Sequence, residues 1–223
     1  MEQKVNSITE FGWGIIMSKN NEIEAKIILP KTIYHKLCHD FAPKSCFKQE
    51  NYYFDTKDGL LKQNHISCRI RLFADHAEQT LKVPNDDPVQ HQFHEAIEIN
   101  DELKLAEAKA LVKNGSKNLP ISFKYSVGDY LNKHFSDHLI LNLQTFSKTK
   151  RILANGPENC ELTFDDSTYP DNYEDFEIEI ENPHPQLIAQ VLLDLKKKYH
   201  FTQNSANTNQ AKIARAYKHR DKI

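Results

Sequence analysis

The stretch from Asp175 to Glu181 constrains the fold more than any other part of the sequence. Carboxylates occupy every odd position and Phe or Ile every even one, without exception over seven residues. A β-strand turns successive side chains to opposite faces, so the stretch predicts a strand with one acidic and one apolar face. Neighbouring carboxylates on the acidic face would lie roughly 6.5–7 Å apart and would repel one another unless cations or solvent screen them.

Other predicted strands repeat this alternation, but the sign of the charge changes from strand to strand. Carboxylates gather on the first and last strands, and bases on the middle ones. Burying such charges without pairing would cost several kcal/mol per ion. The segregation therefore favours a bound ligand that carries both cations and anions. The candidate set contains Glu22, Glu24, Glu95, Asp165, Glu177, Glu179 and Glu181 as acids, with Lys26, Arg69, Arg71, Lys82, Arg151 and Lys212 as bases.

The predicted fold class is α+β, mainly antiparallel β. Roughly eight strands with local connections and few helices indicate a sheet that closes into an eight-stranded barrel. Amphipathic helices outside would cover the apolar faces, so the charged faces would line a lumen that holds about one small ligand. The alternative is an open, half-buried sheet whose charged faces meet water.

Helices are predicted from apolar residues at helical spacing and from capping residues. Residues 32–41 and 185–199 fit amphipathic helices. Asn100 or Asp101 is predicted to cap a helix that runs to about Lys113. Residues 205–208 are predicted to cap a last helix, which carries Lys212 and Arg215.

Composition narrows the range of functions. The net charge is −2, which does not imply general affinity for nucleic acid or for anionic membranes. The chain has no apolar run near the roughly 20 residues of a membrane span. Its four cysteines lack Cys-x-x-Cys spacing and no secretory signal precedes them, so we expect reduced thiols in a cytoplasmic protein. Residues 1–16 are predicted to be a loosely attached extension or an arm packed on the body, and residues 17–223 a single domain.

An ordered series of motifs then resembles a known family. The series is Glu22-x-Glu24-x-Lys26, NYYFDT at 51–56, Arg69-Ile70-Arg71, Thr80-Leu81-Lys82, Thr149-Lys150-Arg151, Asp165 within LTFDD, Glu177-x-Glu179-x-Glu181 and Lys212 within AKIARAY. It resembles the CYTH family, which is named for class IV adenylyl cyclase and thiamine triphosphatase and lies within the triphosphate tunnel metalloenzymes. The resemblance extends over about residues 21–217 and looks closest to bacterial CYTH proteins of the Gram-positive type.

This resemblance implies a tunnel that binds a triphosphate together with one or two Mg²⁺ or Mn²⁺ ions. It implies catalytic roles for Glu177, Glu179 and Lys26. Asp166 is an alternative to Asp165, Glu98 competes with Glu95, and Glu181 is expected either behind the metal ligands or at the rim. The implied metal ligands are Glu22, Glu24, Asp165, Glu177 and Glu179. The implied phosphate ligands are Lys26, Arg69, Arg71, Lys82, Arg151 and Lys212.

The function predicted on these grounds is metal-dependent hydrolysis of a triphosphate to diphosphate and phosphate. Inorganic triphosphate is the first expected substrate, with nucleoside or thiamine triphosphate as others. The alternatives are a class IV-type adenylyl cyclase and a non-catalytic module that binds polyphosphate or a nucleotide. We expect no nucleic-acid or membrane partner, and a monomer or homodimer.

Overall fold

A computed structural model of the protein describes residues 17–88, 90, 92–135 and 139–220. The predicted extension at residues 1–16 lies outside them. The described strands are β1 (Met17–Leu29), β2 (Pro43–Asp55), β3 (Ser67–Leu72), β4 (Ala77–Pro84), β5 (His94–Leu103), β6 (Asn142–Asn155), β7 (Glu161–Thr168) and β8 (Glu174–Glu181). The described helices are α1 (Lys31–Asp40), α2 (Leu60–Gln63), α3 (Leu105–Ser116), α4 (Tyr125–His134), α5 (Pro185–Tyr199) and α6 (Lys212–Lys218).

The strands form a closed barrel in the order β1-β5-β4-β3-β2-β6-β7-β8, with β8 pairing back onto β1. The β1–β8, β2–β3, β3–β4, β4–β5, β6–β7 and β7–β8 ladders are antiparallel. Closure removes the unpaired strand edges that an open sheet would present. The predicted α+β, eight-stranded antiparallel barrel is therefore confirmed.

The chain divides into two compact units, and each has its own apolar core. The second unit comprises the described residues within 22–49, 86–95 and 146–220. Its core joins the apolar faces of β1, β7 and β8 to helices α1 and α5. Phe164 and Ile178 are fully buried there, beside Tyr34 of α1 and Leu192 of α5. Helices thus cover one face of these strands, and the charged side chains occupy the other.

The first unit comprises the described residues within 17–21, 50–85 and 96–145. Its core joins the apolar faces of β3, β4 and β5 to helices α3 and α4. Ile70 and Leu81 are fully buried on the strands, and Ala108 and Val127 on the helices. The same sorting of apolar and charged faces therefore governs both units.

The predicted helix start at Asn100 or Asp101 is wrong. Strand β5 continues to Leu103, and α3 begins at Leu105. Asp101 is fully buried, and its carboxylate accepts hydrogen bonds from the backbone N–H of Val127 at 2.9 Å and from Gln79 Nε2 at 2.9 Å. Asp101 therefore satisfies backbone donors at the start of α4, a helix distant in sequence.

The predicted cap of the last helix at residues 205–208 is also wrong. That segment runs along β1, where the backbone N–H of Ile28 donates to the Asn207 carbonyl at 2.8 Å. Thr208 forms a bridge with Ile27. Helix α6 begins only at Lys212. The connection thus brings α6 back to β1, β7 and β8.

Among the described helices, none is long and apolar enough to cross a membrane.

Candidate active site

Strand β8 carries the carboxylates that dominate the charged face of the second unit. Its residues from Asp175 to Ile180 are buried on both faces, and only the terminal Glu174 and Glu181 are exposed. Glu177 is 0% exposed although it carries a carboxylate. The charged face is therefore enclosed by protein, which excludes an open, solvated strand face here.

Four cationic side chains interleave with the buried carboxylates of this unit. Their ion pairs are Lys26 with Glu24 at 3.0 Å and with Glu179 at 2.8 Å, Arg151 with Asp165 at 2.6 Å and with Glu179 at 3.1 Å, Lys212 with Asp165 and with Glu177 at 3.1 Å, and Arg215 with Glu177 and with Asp175 at 3.3 Å. Register explains the meetings, since Lys26 faces Glu179 across β1–β8 and Arg151 faces Asp165 across β6–β7. The three predicted phosphate ligands Lys26, Arg151 and Lys212 thus converge on the predicted metal ligands.

Three of the predicted metal ligands form a compact cluster. Oxygen atoms of Asp165, Glu177 and Glu179 all lie within 4.8 Å of one another, and all three residues are buried. Carboxylate oxygens are the donors that Mg²⁺ and Mn²⁺ prefer, so this donor set fits a hard divalent ion. Glu22 and Glu24 lie outside this group of three. Their role as metal ligands stays a prediction.

The two central glutamates differ in protonation behaviour. Burial raises the pKa of Glu177, and the positive charges of Lys212 and Arg215 offset this only in part. Burial also disfavours the charged form of Glu179, but the positive charges of Lys26 and Arg151 outweigh it and hold its pKa well below the usual range. The two carboxyl groups are chemically identical and lie two residues apart on one strand, but their surroundings shift their pKa values in opposite directions.

At the end of this carboxylate row, Glu181 is exposed. Partial burial and the neighbouring charges of Glu22 and Glu24 raise its pKa to about 7. Glu181 is the last residue of β8, and its role behind the metal ligands or at the rim stays a prediction.

The predicted phosphate ligands of the first unit form a cluster of their own. Arg71 pairs with Glu78 at 2.9 Å, and its Nε donates to Asn51 Oδ1 at 2.8 Å. Arg69 and Lys82 both approach Glu98, at 3.6 Å and 3.5 Å. Sequence reasoning missed Glu78 as a partner. The alternation of residues 78–83, which places Glu78 in one row with Thr80 and Lys82, was the available signal.

Of the two competing residues Glu95 and Glu98, Glu98 is the one that pairs with the bases of this cluster. Glu98 faces Lys82 across the β4–β5 ladder. Burial raises the pKa of Glu98, but the positive charges of Arg69, Lys82 and Arg71 outweigh burial and lower it to about 2. Glu95 has the opposite strand parity and accepts a hydrogen bond from Gln90 Nε2 at 3.2 Å.

Replacing Glu98 with Gln is expected to destabilise the protein at pH 7 by about 2–4 kcal/mol, because ionised Glu98 is held by three bases. The folded-state pKa lies below the unfolded one, so this contribution is present above about pH 4.5 and is lost as the pH falls toward 2. Urea unfolding from pH 7 to pH 3.5 should show the difference from wild type shrinking. Asp129→Asn, an exposed change on α4, is the control. A difference that is constant with pH would contradict this assignment.

Arg215 is a buried member of the second-unit cluster. Sequence reasoning placed it on the last helix with Lys212 but did not include it among the site residues. It is 5% exposed and pairs with Glu177 and Asp175. Asp175 also accepts a hydrogen bond from the Tyr169 hydroxyl at 2.9 Å. The spacing was the available signal, because residues three apart on a helix share a face and Lys212 precedes Arg215 by three.

Comparison with known proteins identifies the family of this chain. The family model of the CYTH domain matches residues 20–217 of the sequence. The chain belongs to the CYTH family. A Bacillus halodurans structure, named as a candidate adenylate cyclase, is 27% identical to this CYTH protein, with a TM-score of 0.71 over 88% of this chain and 97% of that one. A Hippeastrum structure, named as a candidate adenylyl cyclase with dominant triphosphatase activity, is 19% identical, with a TM-score of 0.69 over 88% and 95%. No curated protein matches the chain significantly.

Proposed function

We propose that this CYTH protein is a divalent-metal-dependent triphosphatase that releases orthophosphate from a triphosphate, with inorganic triphosphate as the first substrate to test. One observation carries the proposal. Buried Asp165, Glu177 and Glu179 lie within 4.8 Å of one another and are interleaved with Lys26, Arg151 and Lys212. Carboxylates suit a hard cation, and Arg and Lys suit phosphate oxygens, so a metal-bound triphosphate matches both charges.

In the proposed reaction, Asp165, Glu177 and Glu179 hold the ion. When bound, Mg²⁺ or Mn²⁺ supplies charge neutralisation and polarises phosphoryl oxygen. Lys26 and Arg151 bind the phosphate chain and stabilise the negative charge that develops on the leaving diphosphate. The enclosing barrel keeps these charges in an environment of low polarity, where they act more strongly than in water. Lys212 is proposed to bind further phosphate oxygens, and phosphate binding by Arg69, Arg71 and Lys82 of the first unit stays a prediction.

Adenylyl cyclase activity is the second candidate, because the 27% identical Bacillus halodurans structure carries that name. A fold alone does not select between the two reactions. A cyclase must hold adenine and orient a ribose hydroxyl, whereas the charged groups described above suit phosphate and metal. These groups favour hydrolysis over cyclisation.

A product assay separates the candidate functions. The protein is incubated with tripolyphosphate, ATP or thiamine triphosphate, in Mg²⁺, Mn²⁺ or excess EDTA. We expect orthophosphate and diphosphate in equal amounts from tripolyphosphate, and no release in EDTA. Cyclic AMP and pyrophosphate from ATP would replace the proposal with a cyclase. Tight binding of all three compounds without any product would replace it with a binding module.

A further inference from the structure

Lys212 holds a position that the proposed metal ion would also require. Its Nζ donates to Asp165 Oδ2 and lies 3.1 Å from Glu177 Oε1. These are two of the three clustered carboxylates, and the Lys212 side chain is only 11% exposed. An ammonium group and a divalent ion are attracted to the same oxygens, so both cannot have full access to them at once.

The other cations of the cluster are held differently. Lys26 lies on β1 and Arg151 on β6, so both are fixed on the barrel wall. Arg151 makes two bonds to Asp165, at 2.8 Å from Nε and 2.6 Å from Nη2, a planar geometry that fixes the guanidinium. Lys26 contacts only Glu179 of the three clustered carboxylates. Lys212 is instead the first residue of α6, and its flexible side chain contacts both Asp165 and Glu177.

Arg215 would keep α6 in place if Lys212 released its carboxylates. It is buried one helical turn after Lys212 and pairs with Glu177 and Asp175. Asp175 is held in turn by the Tyr169 hydroxyl at 2.9 Å. The attachment of α6 to β8 thus has a component that does not depend on Lys212.

We infer that Lys212 and the divalent ion are alternative partners of Asp165 and Glu177. Without metal, the Lys212 ammonium balances the buried carboxylates, which would be costly to leave unpaired. Metal binding displaces the ammonium from them and makes it available to the phosphate chain, while Arg215 positions α6 in both states. The inference rests on the divalent-metal part of the proposed function and adds an exchange at Lys212.

The test is the affinity of the full chain for Mn²⁺, measured without substrate by electron paramagnetic resonance and calorimetry. Lys212→Met removes the competing charge but keeps the apolar stem, so we expect Mn²⁺ to bind about tenfold more tightly than to wild type. Lys212→Arg keeps the charge and should bind like wild type. Lys218→Met removes an exposed charge from the same helix and should also leave the affinity unchanged.

A second measurement, the KM for tripolyphosphate, should show weaker substrate binding in the variant that binds Mn²⁺ more tightly. At saturating Mn²⁺, the KM for tripolyphosphate should rise about fivefold in Lys212→Met, because one phosphate ligand is lost. Melting curves check folding, and Lys212→Gln replaces Lys212→Met if the latter unfolds. Mn²⁺ binding to the neutral variant that is equal to or weaker than wild type would overturn the exchange, yet leave phosphate release by wild type unaffected. Absence of Mn²⁺ binding to wild type would overturn both the exchange and the metal site.

Discussion

Glu179→Gln is expected to lower kcat for tripolyphosphate by about three orders of magnitude, because an amide neither neutralises a divalent ion nor matches carboxylate as a metal ligand. Glu179 is placed for that role by its membership of the buried carboxylate cluster. Its environment holds its pKa well below the usual range, so it is ionised across the working range of pH.

The fold should survive this substitution. Lys26 retains Glu24 at 3.0 Å, and Arg151 retains its bonds to Asp165. No buried cation is therefore left without a carboxylate, which is the situation that costs most. Circular dichroism should stay near wild type while turnover is lost, and the melting temperature should fall, because the ion pairs of Glu179 with Lys26 and Arg151 are removed.

Glu174→Gln is the matched control, because Glu174 lies on the same strand but is exposed and approaches Lys31 only at 3.7 Å. It should keep wild-type kcat. Glu177→Gln should also lose turnover, since Glu177 belongs to the same carboxylate cluster. It should still fold, because Arg215 keeps its ion pair with Asp175. Wild-type rates for Glu179→Gln at saturating metal would rule out its metal role.

Phe164→Ala is expected to destabilise the protein by about 3–5 kcal/mol, the usual cost of emptying a buried aromatic site. Phe164 lies on strand β7 and is fully buried in the core that joins this strand to helix α1. Its ring packs edge-on to Tyr34 at 6.4 Å and against Phe41 at 6.1 Å. Removal leaves a cavity that these rings cannot fill without moving the helix.

Urea unfolding at pH 7 measures this effect, and Leu193→Ala is the control. Leu193 lies on α5 of the same unit but is 45% exposed, so its truncation should cost less than about 1 kcal/mol. A small loss for Phe164→Ala would contradict the packing of helices on the apolar strand faces. The neighbouring residue Asp165 points to the opposite face of β7, where the charged side chains lie. Phe164→Ala therefore tests whether the other face of this strand packs against the helices.

Much of the fold follows from local alternation. The period of two in β8 predicts which side chains share a face, and Ile178 and Glu177 are buried on opposite faces as that rule requires. The segregation of charge along the chain likewise predicts that carboxylates and bases meet. Such features depend on neighbours two residues apart, which the sequence displays directly.

Helix and strand ends were less predictable where distant contacts compete with local signals. Asp101 has the composition of a helix cap, yet it stays in β5 because Gln79 and the backbone of α4 supply its partners. Residues 207–208 look like a cap for α6 but pair with β1 instead. In both cases a hydrogen bond to a residue far along the chain outweighed the local preference.

The sequence by itself determined the alternating strands and the sign of each charged face, and it favoured a closed barrel over an open sheet, a choice that the pairing of β8 with β1 decides. Only the tertiary structure decided which charges meet. It selected Glu98 over Glu95 as the partner of Lys82, placed Lys212 between Asp165 and Glu177, and buried Arg215 against Asp175. The reason is physical: strand parity is set by adjacent residues, whereas ion pairs depend on the register between strands and on the path of the chain that returns α6 to them.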